Sequence, residues 1–272
     1  VDLCSDFKDE YLLLKPFFAE LGADLIKANW RDPTIDWKSF DLLIPKLVWD
    51  YPFYAVEFEA FMKQMILDNI PMRNSAETVL WNMRKTYLGD LKRKGLNVDS
   101  FFLVLQGSPV QISAWIESLK SDELVAKPSI GGGAKNTFRL RRDELQQYES
   151  MFKNILSYAD LIIQSFCPVI AEEGEYSFFF FGDQFSHAIL KKPARGDYRA
   201  HQLFGAQNLR YKPTLDEINR ALAFLKGAPA PCSYGRVDVF RRRDDFFLVE
   251  LELLEPYLYF EHATDQSIRP FC

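Results

Sequence analysis

Cysteines, long apolar runs and metal-binding spacings are scarce in this sequence of 272 residues. Its four cysteines, Cys4, Cys167, Cys232 and Cys272, form no CxxC pair. This argues against a zinc site or a disulfide framework and favours a reducing, cytoplasmic location. No apolar run approaches the 18 or more residues of a membrane span. The polar start gives no sign of a signal peptide, and the missing initial Met suggests that a first strand is cut short.

Positive charge is not in excess either. Lys and Arg number 33 against 38 Asp and Glu, a net charge of −5, which argues against nucleic acid or an acidic membrane as a partner. There is no GxSxG elbow, no Walker A loop and no protein-kinase signature, and the three histidines lack metal-ligand spacing. Hydrolysis by a catalytic triad is therefore disfavoured.

The charges that are present are segregated along the chain. Residues 182–212 contain six basic and two acidic side chains, whereas residues 244–268 contain seven acids and neither Lys nor Arg. This arrangement fits a polyphosphate held by cations on one side and by a metal on the other. The alternative is two solvated faces that happen to differ in charge.

The first 75 residues alternate helical patterns, at 11–21 and 56–68, with short apolar runs at 24–28 and 41–49. This alternation predicts a small α/β layer with a parallel sheet. Ligands bind at the carboxyl ends of such strands, so Lys46, Asp50 and Tyr51 are candidates for substrate binding. A purely structural strand cap is the alternative for these three residues.

The rest of the chain predicts an α+β arrangement with antiparallel hairpins. Short strands are expected at 123–127, 137–140 and 161–166, a Phe-rich hairpin at 176–190, and two final strands at 235–241 and 246–254. Phe at four successive positions, 178–181, indicates a strand covered on both faces. Thr214 and Glu217 form a capping box that opens a helix ending at Gly227.

Three carboxylates converge in the last two predicted strands. Side chains two residues apart in a strand point to the same face, so Glu250 and Glu252 are neighbours, and Asp238 joins them if the strands pair. Such a group repels itself unless a cation lies between its members, and hard oxygen ligands suit Mg²⁺. The alternative is a solvated acidic face on an edge strand, which the apolar surroundings disfavour because unpartnered buried carboxylates are costly.

A glycine-rich segment is the second candidate site. Gly131, Gly132 and Gly133 lie between two short strands and can bring backbone N–H groups close to an anion. Lys127, in the apolar strand before them, needs an anionic partner, and Lys85 on an earlier helix is a similar candidate. An ordinary hairpin turn and an exposed helical lysine are the alternatives.

Taken in order, these parts resemble the ATP-grasp superfamily over residues 75–260. The order comprises Lys85, Lys127, the glycine loop, a hinge strand at 162–166, the Phe-rich hairpin, Asp238 and Glu250-x-Glu252. The resemblance implies an ATP-grasp fold with an N-terminal α/β domain (1–75), a central lid (76–163) and a C-terminal antiparallel-sheet domain (164–272).

The resemblance also implies a role for each site residue. Lys85 and Lys127 would contact the nucleotide phosphates beneath a lid formed by Gly131, Gly132 and Gly133. Asp238, Glu250 and Glu252 would hold Mg²⁺, although many members have Asn where Glu252 stands. The remaining roles are adenine contact by Gln164 (often an acid in other members) and Phe166, ribose contact by Glu172 or Glu175, and neutralisation of the transferring phosphoryl group by Arg199 and Arg236.

Further motifs resemble a narrower branch, that of glutathione synthetase and the ribosomal-protein glutamate ligases. They are WDY at 49–51, WNxxKxYL at 81–88, FSHAIxKxPxxGDYR at 185–199 and LVELELLEP at 248–256. Within that branch they are most similar to the cyclo-ligases that close O-ureidoserine to D-cycloserine.

The activity implied by this resemblance is that of an ATP- and Mg²⁺-dependent ligase. It would allow a second metal ion, and Mn²⁺ could substitute for Mg²⁺. It would activate a small carboxylate, from an amino acid or a peptide, for attack by an amine or an internal nucleophile. Its partners would be ATP and that substrate, without nucleic acid or membrane. The alternatives are a nucleotide-binding protein without ligase turnover and a phosphotransferase on the same fold.

Overall fold

A computed structural model describes residues 9–133 and 136–272. Within these ranges no helix is both long and apolar enough to cross a membrane. Cys167, Cys232 and Cys272 are free thiols, and Cys4 lies outside the described residues.

Nine α-helices occur in the described part of the chain, joined by short 3-10 turns. They are α1 (Glu10–Glu20), α2 (Ala55–Leu67), α3 (Ala76–Met83), α4 (Tyr87–Arg93), α5 (Ile112–Leu119), α6 (Glu149–Leu156), α7 (Pro168–Glu172), α8 (Leu215–Lys226) and α9 (Asp265–Ile268).

Nine strands form two antiparallel sheets in the same ranges. They are β1 (Phe101–Val104), β2 (Glu123–Pro128), β3 (Phe138–Arg141), β4 (Leu161–Ser165), β5 (Glu175–Phe181), β6 (Gln184–Lys192), β7 (Gln207–Tyr211), β8 (Tyr234–Arg242) and β9 (Asp245–Glu252).

The smaller sheet has the strand order β1-β4-β2-β3 and carries the glycine-rich loop between β2 and β3. Burial alternates along β2, with Leu124 and Ala126 inside and Val125 and Lys127 only partly covered. One face packs on α5 and α6 through Trp115, Phe152 and other apolar side chains, a hydrophobic core of the sheet's own. The strands predicted at 123–127, 137–140 and 161–166 are confirmed.

The larger sheet has the order β7-β6-β5-β8-β9. Its central strand β5 is buried at every position: Phe178 and Phe180 face one core, and Phe179 and Phe181 face another. This confirms the expectation from four successive phenylalanines. The predicted capping box is also present, with Thr214 and Glu217 bonding each other's backbone N–H groups at the start of α8.

The predicted N-terminal parallel sheet is wrong for the described residues of this segment. Residues 24–28 and 41–49 contain no strand, and Leu43 forms only an isolated bridge with Met72. Pro45 cannot donate to a strand ladder, and Leu47 adopts a positive φ of 60°, so the second run cannot stay extended. The segment packs instead through aromatic and Met side chains onto α2 and α3.

Helix α4 packs against the core of the larger sheet through Tyr87, Leu88 and Leu91. A boundary after residue 163 would cut through β4, which pairs with both β1 and β2. The division into 1–75, 76–163 and 164–272 stays a prediction.

Candidate functional site

A cleft that is partly open to solvent lies where the two sheets face each other. Of the 17 candidate residues named from the sequence, this cleft gathers 13. They are Lys85, Lys127, Gly131, Gly132, Gly133, Gln164, Phe166, Glu175, Arg199, Arg236, Asp238, Glu250 and Glu252.

Asp238 is the centre of a buried network on the floor of the cleft. Its Oδ1 accepts a hydrogen bond from the Ser177 hydroxyl (2.5 Å), and its Oδ2 accepts from Lys191 Nζ (3.1 Å). The guanidinium of Arg236 donates to both oxygens, at 3.0–3.1 Å. Burial raises the pKa of Asp238, but the charges of Arg236 and Lys191 outweigh it and lower that pKa to about 2. The carboxylate is therefore ionised, and both of its oxygens accept hydrogen bonds from protein groups.

Glu250 and Glu252 lie beside this network on β9. The register places Glu250 opposite Asp238 and Glu252 opposite Arg236, and Arg236 donates to the Glu252 carboxylate. Burial, together with the charges of Glu250 and Asp238, raises the pKa of Glu252 to about 7 despite the opposing charge of Arg236. Negative charge at this point is thus only partly compensated, and an added cation would be stabilised.

Lys85 links the acidic strand to the glycine-rich loop. Its Nζ lies 2.9 Å from Glu250 Oε1 and donates to the Gly131 carbonyl at 2.6 Å. Its backbone N–H donates to the Ser129 carbonyl at 2.8 Å. The junction of α3 and α4 therefore sets the position of the loop.

Lys127 is the cation most available to an anion. Its ammonium makes no hydrogen bond or ion pair with the described residues, and burial lowers its pKa although Glu250 opposes the shift. An ammonium partly removed from water gains most from an anionic partner. The neighbouring Gly131 and Gly132 have open space on their Cβ side, so a ligand can come close to the backbone.

Aromatic and aliphatic groups line the far end of the cleft. Phe166 lies beneath the Arg139 guanidinium at 3.7 Å and contacts Tyr198 edge-on at 5.9 Å. Gln164 lines the same end from β4. A flat heteroaromatic ring is the kind of group that this surface can hold.

The two ribose candidates separate in the structure. Glu175 lines the cleft, where its carboxylate bonds Lys191 Nζ at 2.8 Å. Glu172 is exposed at the end of α7 and does not line the cleft. The helix turns it outward, a direction that its position in the sequence does not reveal.

Arg199 lines the cleft but is held by its neighbours. Asp197 accepts from its Nε (3.0 Å) and its Nη2 (2.7 Å), and its guanidinium stacks on Phe204 at 3.5 Å. These contacts fix the guanidinium at the rim of the site.

The three substrate candidates lie outside the cleft. Lys46 pairs with Glu10 at 2.8 Å and donates to the Pro256 carbonyl. Asp50 accepts from Trp30 Nε1 at 2.9 Å, and Tyr51 is buried against Phe58. Because the segment is not a strand ending at the site, these side chains stabilise the N-terminal packing, and a substrate role for them gains no support.

Sequence reasoning missed Lys191, Ser177 and His201. Lys191 lies opposite Glu175 in the β5–β6 ladder. The sequence did offer a signal for it, since the predicted hairpin brings this Lys, at the end of an apolar strand, opposite an acidic residue. Ser177 and His201 carried none, because only the folded structure brings Ser177 to Asp238 and His201 to the cleft.

The described residues contain no preformed group of three or more His, Cys, Asp or Glu side chains with metal-site geometry. Protein cations already compensate Asp238 and Glu250. Mg²⁺ is nevertheless commonly held by one or two carboxylates together with substrate phosphates. Glu250 and Glu252, adjacent and partly exposed in the cleft, fit that kind of site.

Comparison with known proteins identifies the fold. Residues 2–74 match the family of N-terminal domains of the D-cycloserine synthetase DcsG. The cycloserine biosynthesis protein DcsG of Streptomyces lavendulae is 27% identical over 261 residues, 89% of this chain and 84% of that protein. The crystal structure of D-cycloserine synthetase DcsG superposes with a TM-score of 0.85 and 25% identity, covering 99% and 94% of the two chains. The ATP-grasp ligase PsnB, with a TM-score of 0.64, 15% identity and coverage of 97% and 96%, shares the fold.

Proposed function

We propose that this chain, an ATP-dependent, carboxylate-activating ligase of the ATP-grasp superfamily, acts on an amino acid or a peptide by way of an acyl phosphate. The observation that carries the proposal is the cleft itself, in which Lys85 and Lys127 face the carboxylates of Glu250 and Glu252 beside a glycine-rich loop. A nucleoside triphosphate needs cations and backbone N–H donors along its phosphates, and this cleft supplies both.

The reaction makes a poor electrophile reactive. A carboxylate oxygen of the substrate attacks the γ-phosphorus of ATP, the bond to the β,γ-bridging oxygen breaks, and ADP leaves. The resulting acyl phosphate then loses inorganic phosphate when a nitrogen nucleophile forms the new C–N bond. The protein contributes position and charge compensation, since the chemistry itself needs no covalent protein intermediate.

Each residue of the cleft then has a role in that reaction. Lys85 and Lys127 hold the phosphates, Gly131, Gly132 and Gly133 cover them, and Gln164 and Phe166 border the adenine. Arg236 and Arg199 offset negative charge near the transferring group. Glu175 contributes indirectly, because its carboxylate holds the ammonium of Lys191 in place. Glu250 and Glu252, with Asp238 behind them, would hold Mg²⁺, which supplies charge compensation to the phosphate oxygens.

The relatives favour one kind of nucleophile. DcsG is by name a cycloserine synthetase, and its likeness to this chain extends over both sheets and the N-terminal segment. We therefore favour a nitrogen of the amino-acid substrate itself as the nucleophile, so that the product is cyclic. A separate amine is the other possibility that the test distinguishes.

A substrate panel tests the proposal. Wild-type protein is incubated with Mg-ATP and single D- or L-amino acids or dipeptides, with and without an added amine, and ADP release is followed. One class should stimulate release, and Glu250→Gln should lower it by about 10²–10³-fold. Glu173→Gln, an exposed carboxylate outside the cleft lining, is the matched control and should behave as wild type. Undiminished activity in Glu250→Gln would overturn the metal and phosphate assignment.

A further inference from the structure

Glu255 lies three residues beyond the end of the acidic strand β9 and has no part in the assignments above. Among the described residues, its buried Oε2 has no hydrogen-bond partner, and its carboxylate forms no ion pair. The residue as a whole is only partly buried, and Oε1 is not enclosed, so a ligand can reach the carboxyl group. A carboxylate partly removed from water without a partner is costly, and such a group in a folded protein calls for an explanation.

Two protein cations act on Glu255, and both are already paired with other carboxylates. Lys46 pairs with Glu10 at 2.8 Å, and Arg236 donates to Glu252. Burial raises the pKa of Glu255 well above its usual range, against the charges of Lys46 and Arg236, and the charge of Glu252 adds to the rise. Three carboxylates thus share two cations in this part of the molecule, and a third cation would be stabilised there.

The backbone on both sides of Glu255 is held by side chains from distant segments. The Leu254 carbonyl accepts from the Tyr234 hydroxyl at 3.1 Å, and the Pro256 carbonyl accepts from Lys46 Nζ. These bonds fix the position of the carboxylate without using it. A polar group that is positioned by its neighbours and left unpaired is suited to receive a ligand.

Arg236 connects this segment with the phosphoryl-transfer end of the cleft. It lines the cleft together with Glu252, and its Nη1 donates to the carbonyl of Tyr257 at 3.0 Å, two residues beyond Glu255. The guanidinium assigned to the transferring group therefore also contacts the segment that carries Glu255. A substrate activated beside Arg236 can place a positively charged substituent against this segment.

We propose that the carboxylate of Glu255 binds the α-ammonium group of the amino-acid substrate and so selects substrates in which a free amino group stands next to the activated carboxylate. This role rests on the proposed function. The ammonium supplies the missing positive charge, and no covalent bond forms or breaks at Glu255. An ammonium has no free electron pair, and attack of an α-nitrogen on its own carboxyl carbon would close a strained three-membered ring. The nitrogen that displaces phosphate is therefore a second one, on the substrate's side chain or on a separate amine.

Pairs of substrates that differ at one group test this role. The D- and L-forms of alanine, serine and 2,4-diaminobutyrate are each compared with the acid in which a hydroxyl replaces the α-amine, namely lactate, glycerate and 4-amino-2-hydroxybutyrate. The readout is kcat/KM for ADP release, with and without hydroxylamine, a nucleophile that attacks acyl phosphates. Glu255→Gln removes the charge at nearly constant shape, Glu255→Asp keeps the charge on a shorter side chain, and Glu173→Gln is again the control.

In the wild type, we expect kcat/KM for the amino form of an active pair to exceed that for the hydroxy form by roughly 10²–10³-fold. Glu255→Gln should lose most of this preference while its KM for ATP stays unchanged, and Glu255→Asp should keep part of it. The melting temperature of Glu255→Gln should be no lower than that of the wild type, because the carboxylate has no partner among the described residues.

An undiminished preference for the amino form in Glu255→Gln would overturn the role, as would equal use of both forms by the wild type. In either case the ligase activity of the wild type, and with it the proposed function, would still stand. If no compound in the set stimulates ADP release by the wild type, the proposed function fails and this role with it.

Discussion

At the scale of single residues, His187 shows how burial sets protonation away from the cleft. Its ring stacks on Phe179 with the centroids 4.2 Å apart, and its Nε2 lies 2.9 Å from the Leu258 carbonyl. Burial lowers its pKa to about 4, although the bond to Leu258 opposes the shift. An unfolded histidine titrates near pH 6.5, so the unfolded chain takes up this proton first as the pH falls.

The free energy of unfolding should therefore decline as the pH drops from about 6.5 to 4, with one such histidine adding a slope of up to about 1.4 kcal/mol per pH unit. His187→Gln keeps an N–H for Leu258 and removes the titration, so its decline should be shallower. Urea unfolding of both proteins at pH 7 and pH 5 measures this. Parallel declines would show that the imidazole is not the group being titrated.

At the scale of elements, the glycine-rich loop depends on one residue in particular. Gly133 has a positive φ of 64°, a conformation that costs an L-residue about 1–2 kcal/mol. Gly132 does not have a positive φ, and space is open at its Cβ position. The loop therefore has two neighbouring glycines that differ mainly in backbone strain.

Gly133→Ala should raise the KM for ATP about 5- to 30-fold, because strain of that size opposes the covering position of the loop. Gly132→Ala is the control and should stay near the wild-type KM. Initial rates at varied ATP, with thermal melting to verify folding, give the comparison. Equal effects of the two substitutions would mean that backbone conformation at residue 133 does not matter.

The elements also show where sequence reasoning succeeds. The β8–β9 hairpin was predictable because apolar residues flank a polar turn. Its register at the carboxylates was not, because a register shift between Asp238 and Val239, which a count from the turn does not reveal, brings Asp238 opposite Glu250. The structure of residues 41–49 was not predictable, because an apolar run is equally suited to a strand or to irregular packing on α2. Glu172 and Glu175 differ by three positions, and only the end of α7 decides which of them enters the cleft.

At the scale of the whole molecule, the two sheets have separate cores. The smaller sheet with α5 and α6 encloses Ile116, Leu124 and Phe152 among others, whereas the larger sheet with α4 and α8 encloses a different set. A unit with its own core can shift as a body while its packing stays intact. The cleft between the sheets can therefore close over a ligand without unfolding either of them.

Hydrogen exchange should report that closure. Adding Mg-AMP-PNP should slow amide exchange in residues 129–133 and 199–205, which approach each other at the cleft, more than in α2 or the N-terminal core. The measurement is exchange mass spectrometry with and without the nucleotide. Uniform protection across the chain, or none in these two segments, would contradict closure at the cleft.

The most direct test of the whole account follows the oxygen atoms of the carboxylate. With the active substrate labelled with ¹⁸O in its carboxyl group, an acyl phosphate must pass one labelled oxygen to the phosphate that is released. We predict one ¹⁸O atom in the inorganic phosphate for each turnover, measured by mass spectrometry. Phosphate without label, formed while ADP and product accumulate, would contradict activation of the carboxylate by phosphoryl transfer.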